Sequence, residues 1–186
     1  MAKNTNKKAV VGEVRFSYAH VFEPWGDKEP KYSVVAVINK KDTHIIDEIR
    51  EKIRAVYEEE KQGMFKGRTF ESLALPLKDG DNPGEGHEPN PAYVGSYYIS
   101  ANRKTAPGVI GGDKKPIIDK DEFYSGCYGW ISMTFAPYDV SGKKGIKAYL
   151  NHLMKTRDGE NLGSASTAEF DFADVPVVAD DASDLY

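Results

Sequence analysis

The chain has 186 residues, 40% of them hydrophobic and 29% charged, with a formal net charge of −4. One core of this size folds independently, no apolar run approaches the ~20 residues of a membrane helix, and the polar, basic start lacks the apolar stretch of a secretory signal. A single cysteine, Cys127, excludes an internal disulfide and a cysteine zinc site of the usual spacing, and points to an intracellular protein.

Residues 1–9 read as a basic N-terminal arm. A first strand is predicted over 10–18, with Val10, Val14, Phe16 and Tyr18 inward and Glu13, Arg15 and Ser17 outward. Two prolines and a glycine mark 23–30 as loop. Residues 31–39 are apolar on both faces, as in a central strand. The spacing predicts a helix over 43–62: Asp42 or Thr43 can cap it, Ile45, Ile46, Ile49, Ile53, Val56 and Tyr57 form one stripe, and Gly63 ends it. Residues 64–92, rich in Gly, Pro, Asp and Asn, read as surface loops.

Alternation resumes over 97–104, with Tyr97, Ile99 and Ala101 opposite Tyr98, Ser100, Asn102 and Lys104. Turns follow at Pro107-Gly108 and Gly111-Gly112-Asp113. From 123 to 138 the odd positions suit a core (Phe123, Cys127, Ile131, Met133, Phe135). The even ones form a row of Tyr124, Tyr128, Trp130 and Tyr138 among small or hydroxylated residues. Such a row stacks either on the bases of a single-stranded nucleic acid or on another protein element. A hairpin at 141–145 leads to a last strand, 145–155. Ile146, Ala148, Leu150 and His152 lie inward there, and Lys147, Tyr149 and Asn151 outward. Strands, turns and one helix, set between the third and fourth quarters of the plan, predict a mainly β protein built as a small Greek-key barrel.

The remainder is acidic. From Asp158 onward there are eight carboxylates and no Lys or Arg, which leaves 25 basic against 21 acidic residues in positions 1–157. A basic body with an acidic tail is compatible with a polyanionic ligand.

Other chemistry is poorly represented. Asp79-Gly80-Asp81-Asn82-Pro83-Gly84 opens like a calcium loop but has Pro83 at the fifth position, Asn90 at the twelfth, and no flanking helices. The glycine-rich pieces match neither a phosphate loop nor a dinucleotide fingerprint. The four histidines have no metal-like spacing, and no nucleophile elbow is present. No enzyme, metal or cofactor is expected. Clustering is the positive signal: nine of the 21 aromatics fall within 93–138. The residues nominated for base stacking are Tyr98, Tyr124, Tyr128, Trp130 and Tyr149. Those nominated for phosphate contacts are Arg15, Asn102, Lys104, Lys143, Lys144 and Lys147.

Several segments, in this order, resemble the bacteriophage single-stranded-DNA-binding proteins. They are Phe16-Ser17-Tyr18-Ala19-His20-Val21-Phe22-Glu23-Pro24, Lys31-Tyr32-Ser33-Val34, Leu75-Pro76-Leu77-Lys78-Asp79-Gly80-Asp81, Tyr124-Ser125-Gly126-Cys127-Tyr128, Lys144-Gly145-Ile146 and Arg157-Asp158-Gly159-Glu160-Asn161-Leu162-Gly163. The resemblance implies a five-stranded OB-fold barrel over 10–163 with one inserted helix and long loops. It further implies a disordered acidic tail over 164–186, sequence-tolerant binding of single-stranded DNA without a cofactor, and work in phage replication, recombination or repair in the cytoplasm of the infected bacterial host. It allows a homo-oligomer and no membrane association. The tail, ending Asp180, Asp181, Ala182, Ser183, Asp184, Leu185, Tyr186, is expected to compete for the DNA groove and to recruit a polymerase, helicase or primase. The alternatives are a purely solubilising tail, a strand-annealing recombination protein, and a protein-interaction module such as a virion component.

Overall fold

The computed structural model describes residues 7–162; residues 1–6 of the predicted arm 1–9 and the acidic tail, with its nominated Asp180, Asp181, Asp184, Leu185 and Tyr186, lie outside them. Seven strands form one sheet in the order β3-β4-β2-β1-β6-β7-β5. They are β1 (Lys8–Trp25), β2 (Lys31–Asn39), β3 (Leu77–Asp79), β4 (Ser96–Arg103), β5 (Gly108–Gly111), β6 (Tyr128–Val140) and β7 (Lys143–Arg157). A parallel contact of β4 with β7 closes the ring β1-β2-β4-β7-β6. This is the five-stranded barrel that was expected, with β3 and β5 added as edge strands. The one α-helix among the described residues, α1 (Thr43–Glu60), falls between the second and third barrel strands, not between the third and fourth quarters.

The helix forms for the predicted reason. Ile45, Ile46, Ile49, Ile53 and Val56 recur at helical spacing and are all buried in the core, each contributing ~1.5–3 kcal/mol by burial. Asp42 is the cap position through its carbonyl, which accepts from the Ile45 and Ile46 N–H groups, without a side-chain capping bond. The core beneath is filled by Phe16, Ile38, Ile99, Ile131, Met133, Phe135, Ile146, Leu150 and Leu153.

Three irregularities in strand register alter the predicted faces. In β1 the inward positions are Ala9 and Val11, then Val14 and Phe16. Parity changes at the register shift between Val11 and Val14. Val10 is therefore exposed rather than inward. A second irregularity begins after Ser17, which faces outward as predicted, in register with Val35 and Ser100, and is covered there by Tyr93; Tyr18, with φ of 45°, points to solvent rather than inward. In β7, Ser132 pairs with His152 and Met133 with Leu150, so Asn151 is the extra residue. Beyond it the inward residue is Leu153, and His152 turns out to the surface.

Other corrections are shorter. Lys8 and Ala9 belong to β1, not to an arm, and Ala9 is fully buried. The β1–β2 hairpin is narrower than the predicted 23–30 loop, because β1 continues to Trp25. Gly108–Gly111, read as turns, forms the parallel strand β5 beside β7. The aromatic strand starts at Tyr128 rather than at 123, although Phe123 and Cys127 are buried as expected. Ser141 and Gly142, both with positive φ, make the two-residue hairpin turn predicted between β6 and β7.

Candidate nucleic-acid interface

Residues paired directly across strands project from the same face. His20 pairs with Ser33, Ser33 with Asn102, Asn102 with Tyr149, and Tyr149 with Thr134. The inward neighbours Val34, Ala101 and Ala148 are buried. One row of outward side chains thus crosses all five barrel strands.

Two adjoining clefts flank this row. The larger, about 440 Å³, is lined by Lys31, Asn102, Arg103, Lys104, Lys147 and Tyr149, with Glu29 at its edge. The smaller, about 210 Å³, shares Asn102 and Lys147 and continues past Tyr98, Ser100, Tyr138 and Lys78. The combined groove has five cationic side chains to one carboxylate, so its field is positive. The Lys147 ammonium lies 4.7 Å from the Tyr149 ring centre, a cation–π contact within the groove. Tyr98 has one face covered by Tyr93 at 4.7 Å, and the Tyr93 hydroxyl bonds Ser17 at 3.3 Å. Burial pushes the Tyr93 hydroxyl above its usual range.

Of the nominated residues, Tyr98, Asn102, Lys104, Lys147 and Tyr149 come together in this groove. The others lie elsewhere. Trp130 is outward but ~14 Å along β6 from Thr134, and its indole covers Gly12, where a Cβ would meet it at 2.5 Å. Tyr128 carries the Arg157 guanidinium at 3.6 Å over its ring, with Arg15 at 5.5 Å. Arg15 in turn donates to the Glu160 carbonyl at 2.8 Å. This cluster holds the chain's return over 158–162 against the barrel. Glu13 completes it, accepting from Thr156 at 2.6 Å and Arg157 at 2.7 Å; the Thr156 hydroxyl, then Arg157, hold its carboxyl below the usual range.

Tyr124 is also structural. Its hydroxyl lies 3.0 Å from both the Asp158 carboxylate and the Gly159 carbonyl and accepts from the Gly159 N–H at 3.1 Å. Burial pushes that hydroxyl up as well. Lys144 donates to the Met64 carbonyl at 2.6 Å, whereas Lys143 is exposed at the hairpin.

Sequence reading missed the other end of the row. His20 and Trp25 stack at 5.3 Å and 17°, Trp25 is 70% exposed, and Trp25 pairs with Lys31 of the cleft. An exposed tryptophan in a loop with charged and proline neighbours was the available signal. Lys31, Lys78 and Arg103 become visible only in the folded chain, whereas Tyr138, which lines the groove, belongs to the aromatic row read from the sequence.

The sequence profile of the Enterobacter phage Enc34 ssDNA-binding protein matches residues 7–184. Protein p50 of Acyrthosiphon pisum secondary endosymbiont phage 1 is 32% identical over 176 residues, covering 88% of this chain and 92% of that protein. The C-terminally truncated single-stranded DNA-binding protein of bacteriophage Enc34 superposes with a TM-score of 0.73 at 27% identity, over 87% of this chain and 95% of that one. The same protein in complex with ssDNA gives 0.68 at 27% identity, over 88% and 96%. At 16% identity and a TM-score of 0.59, over 94% and 96%, bacteriophage T7 gp2.5, a single-stranded DNA binding protein, shares the fold. The resemblance read from the sequence is thereby borne out: the chain belongs to the family of the phage Enc34 single-stranded-DNA-binding protein.

Proposed function

We propose that this chain coats single-stranded DNA without regard to sequence, as a binding protein rather than an enzyme, in replication, recombination or repair of phage DNA in the bacterial host cytoplasm. The observation that carries this reading is the row His20–Ser33–Asn102–Tyr149–Thr134 with cations along both sides. Bases stack on Tyr149 and Tyr98, and on the His20–Trp25 pair at the far end, since any base presents a π-face. Lys31, Arg103, Lys104 and Lys147 neutralise phosphates and displace counterions, making affinity fall with salt. The acidic tail offers replication enzymes a docking segment.

The test is a fluorescence titration with oligo(dT). Trp25 stands at the groove and Trp130 does not, so quenching should persist in W130F and largely disappear in W25F. Equal loss in both, or no saturable quenching in the unmodified protein, would overturn the assignment.

A further inference from the structure

A second cavity, of about 300 Å³, opens between α1 and the β3–β4 edge. Ile53, Phe70, Leu75 and Leu77 supply its apolar lining, with Tyr97, and Arg50 and Arg54 stand at its rim. Tyr97 and Tyr98 project from opposite faces of β4, so the cavity and the groove are separated by that strand. Arg50 lies 5.1 Å over the Tyr97 ring and Arg54 4.1 Å over Phe70. Neither guanidinium has a hydrogen bond or close ion pair among the described residues. Glu58, one turn on from Arg54, bonds Lys61 and meets Arg54 only through a longer-range attraction. No carboxylate lines the cavity. An apolar hole with two guanidiniums at its mouth, neither hydrogen-bonded to a carboxylate, selects a ligand that carries aromatic groups beside carboxylates.

The chain itself contains such a segment in Glu169-Phe170-Asp171-Phe172. We propose that this segment seats in the α1–β3–β4 cavity, its phenyl groups toward Ile53, Leu75 and Leu77 and its carboxylates at Arg50 and Arg54. The spacings agree: alternate residues of an extended chain are ~6.8 Å apart, and positions four apart on a helix ~6 Å.

The reach is sufficient too. Arg15, which holds the Glu160 carbonyl, stands in the row Arg15–Val37–Tyr98, two strand spacings or ~10 Å from β4. The ten residues from Glu160 to Phe170 extend up to ~33–36 Å. Tethering supplies an effective concentration of order millimolar. Because the seat is not in the groove, a tail anchored there leaves the groove open and presents residues 180–186 for other contacts.

The experiment uses the full-length chain with Phe172 replaced by p-benzoylphenylalanine, irradiated and mapped by mass spectrometry. Crosslinks to peptides containing Ile53 or residues 70–77, within one chain or between two, are expected. Their yield should fall about tenfold in R54E, and likewise in E169Q/D171N, as for loss of a charge-assisted contact. The latter variant leaves the folded barrel untouched. Saturating oligo(dT) should leave the yield unchanged. Crosslinks to the groove peptides around 98–104 or 147–149, displacement by oligo(dT), insensitivity to both variants, or no crosslink at all would each overturn the proposal.

Discussion

Tyr149→Ala is the substitution that bears most directly on the groove. The Tyr149 side chain projects outward between Asn102 and Thr134, and its hydroxyl has no hydrogen-bond partner among the described residues, so truncation strands no polar group. The internal loss is the Lys147 cation–π contact, ~0.5–1 kcal/mol at an exposed site. A stacked base is worth ~1–3 kcal/mol, which is roughly a 5- to 150-fold rise in Kd. Fluorescence anisotropy of labelled oligo(dT) at fixed salt measures the second quantity, and thermal unfolding followed by circular dichroism bounds the first. The expectation is a weakened ligand with a Tm within a few degrees of the parent. A variant that unfolds normally and binds within twofold of the parent would refute the stacking argument, whatever the salt dependence.

Lys147→Gln should reduce the slope of log K against log[salt] by about 0.7, the share of one single-strand phosphate; an unchanged slope would remove Lys147 from the phosphate path. Gly126→Val should destabilise the protein by several kcal/mol, since φ is +117° and a Cβ would lie 1.8 Å from the Glu160 carbonyl, and proteolysis at 158–162 should report the detached return. The lowered Glu13 pKa implies stability that is fully present above the usual carboxyl value of 4.5 and lost as pH falls through the lower folded value. Glu13→Gln should accordingly be less stable than the parent at pH 7, with the gap closing as pH falls below 4.5 in urea titrations; a gap independent of pH would contradict the ionic origin. Ile49→Ala, at a fully buried helix position, should cost ~2–5 kcal/mol in the same titrations without altering DNA contacts.

What could be read in the sequence follows the range of the interactions involved. Helix α1 was legible because its stripe of isoleucines repeats locally, β2 because it is apolar on both faces, and β4 because its alternation is unbroken. Parity failed at Gly12-Glu13, after Ser17, and at Asn151, where an extra residue turns the strand over without changing its composition. The extra residue at Asn151 has a visible use in the fold: its amide reaches Thr134 at 2.9 Å and Ser132 at 3.3 Å. Strand β5 carries too little apolar sequence to announce itself. For the groove, residue type in β4 and β7 nominated side chains that the fold brings together, and at 124–130 side chains that it places elsewhere. Tyr124 and Tyr128 have the right chemistry but are engaged by Asp158, Gly159 and Arg157, partners more than 25 positions away. Lys31 and Arg103 needed the register of three strands before they could be placed.

The barrel closes through just two residue pairs, Ala101 with Ala148 and Asn102 with Tyr149, whereas β6 and β7 pair along their whole length. That parallel join is a short seam between segments distant in the chain, and such joins are among the regions that open below the global unfolding free energy. Asn102 and Tyr149 are also the centre of the groove row, so on the proposed reading a bound strand would lie across the seam and stitch it. By linkage, whatever the ligand gains by touching both sides is withheld from the opened state. Oligo(dT) should then slow amide exchange at 101–103 by a larger factor than at the tip of the β6–β7 hairpin, 139–144, whose pairing the ligand would not bridge. The protein would wrap the strand, and the strand would in return act as a clasp on the barrel.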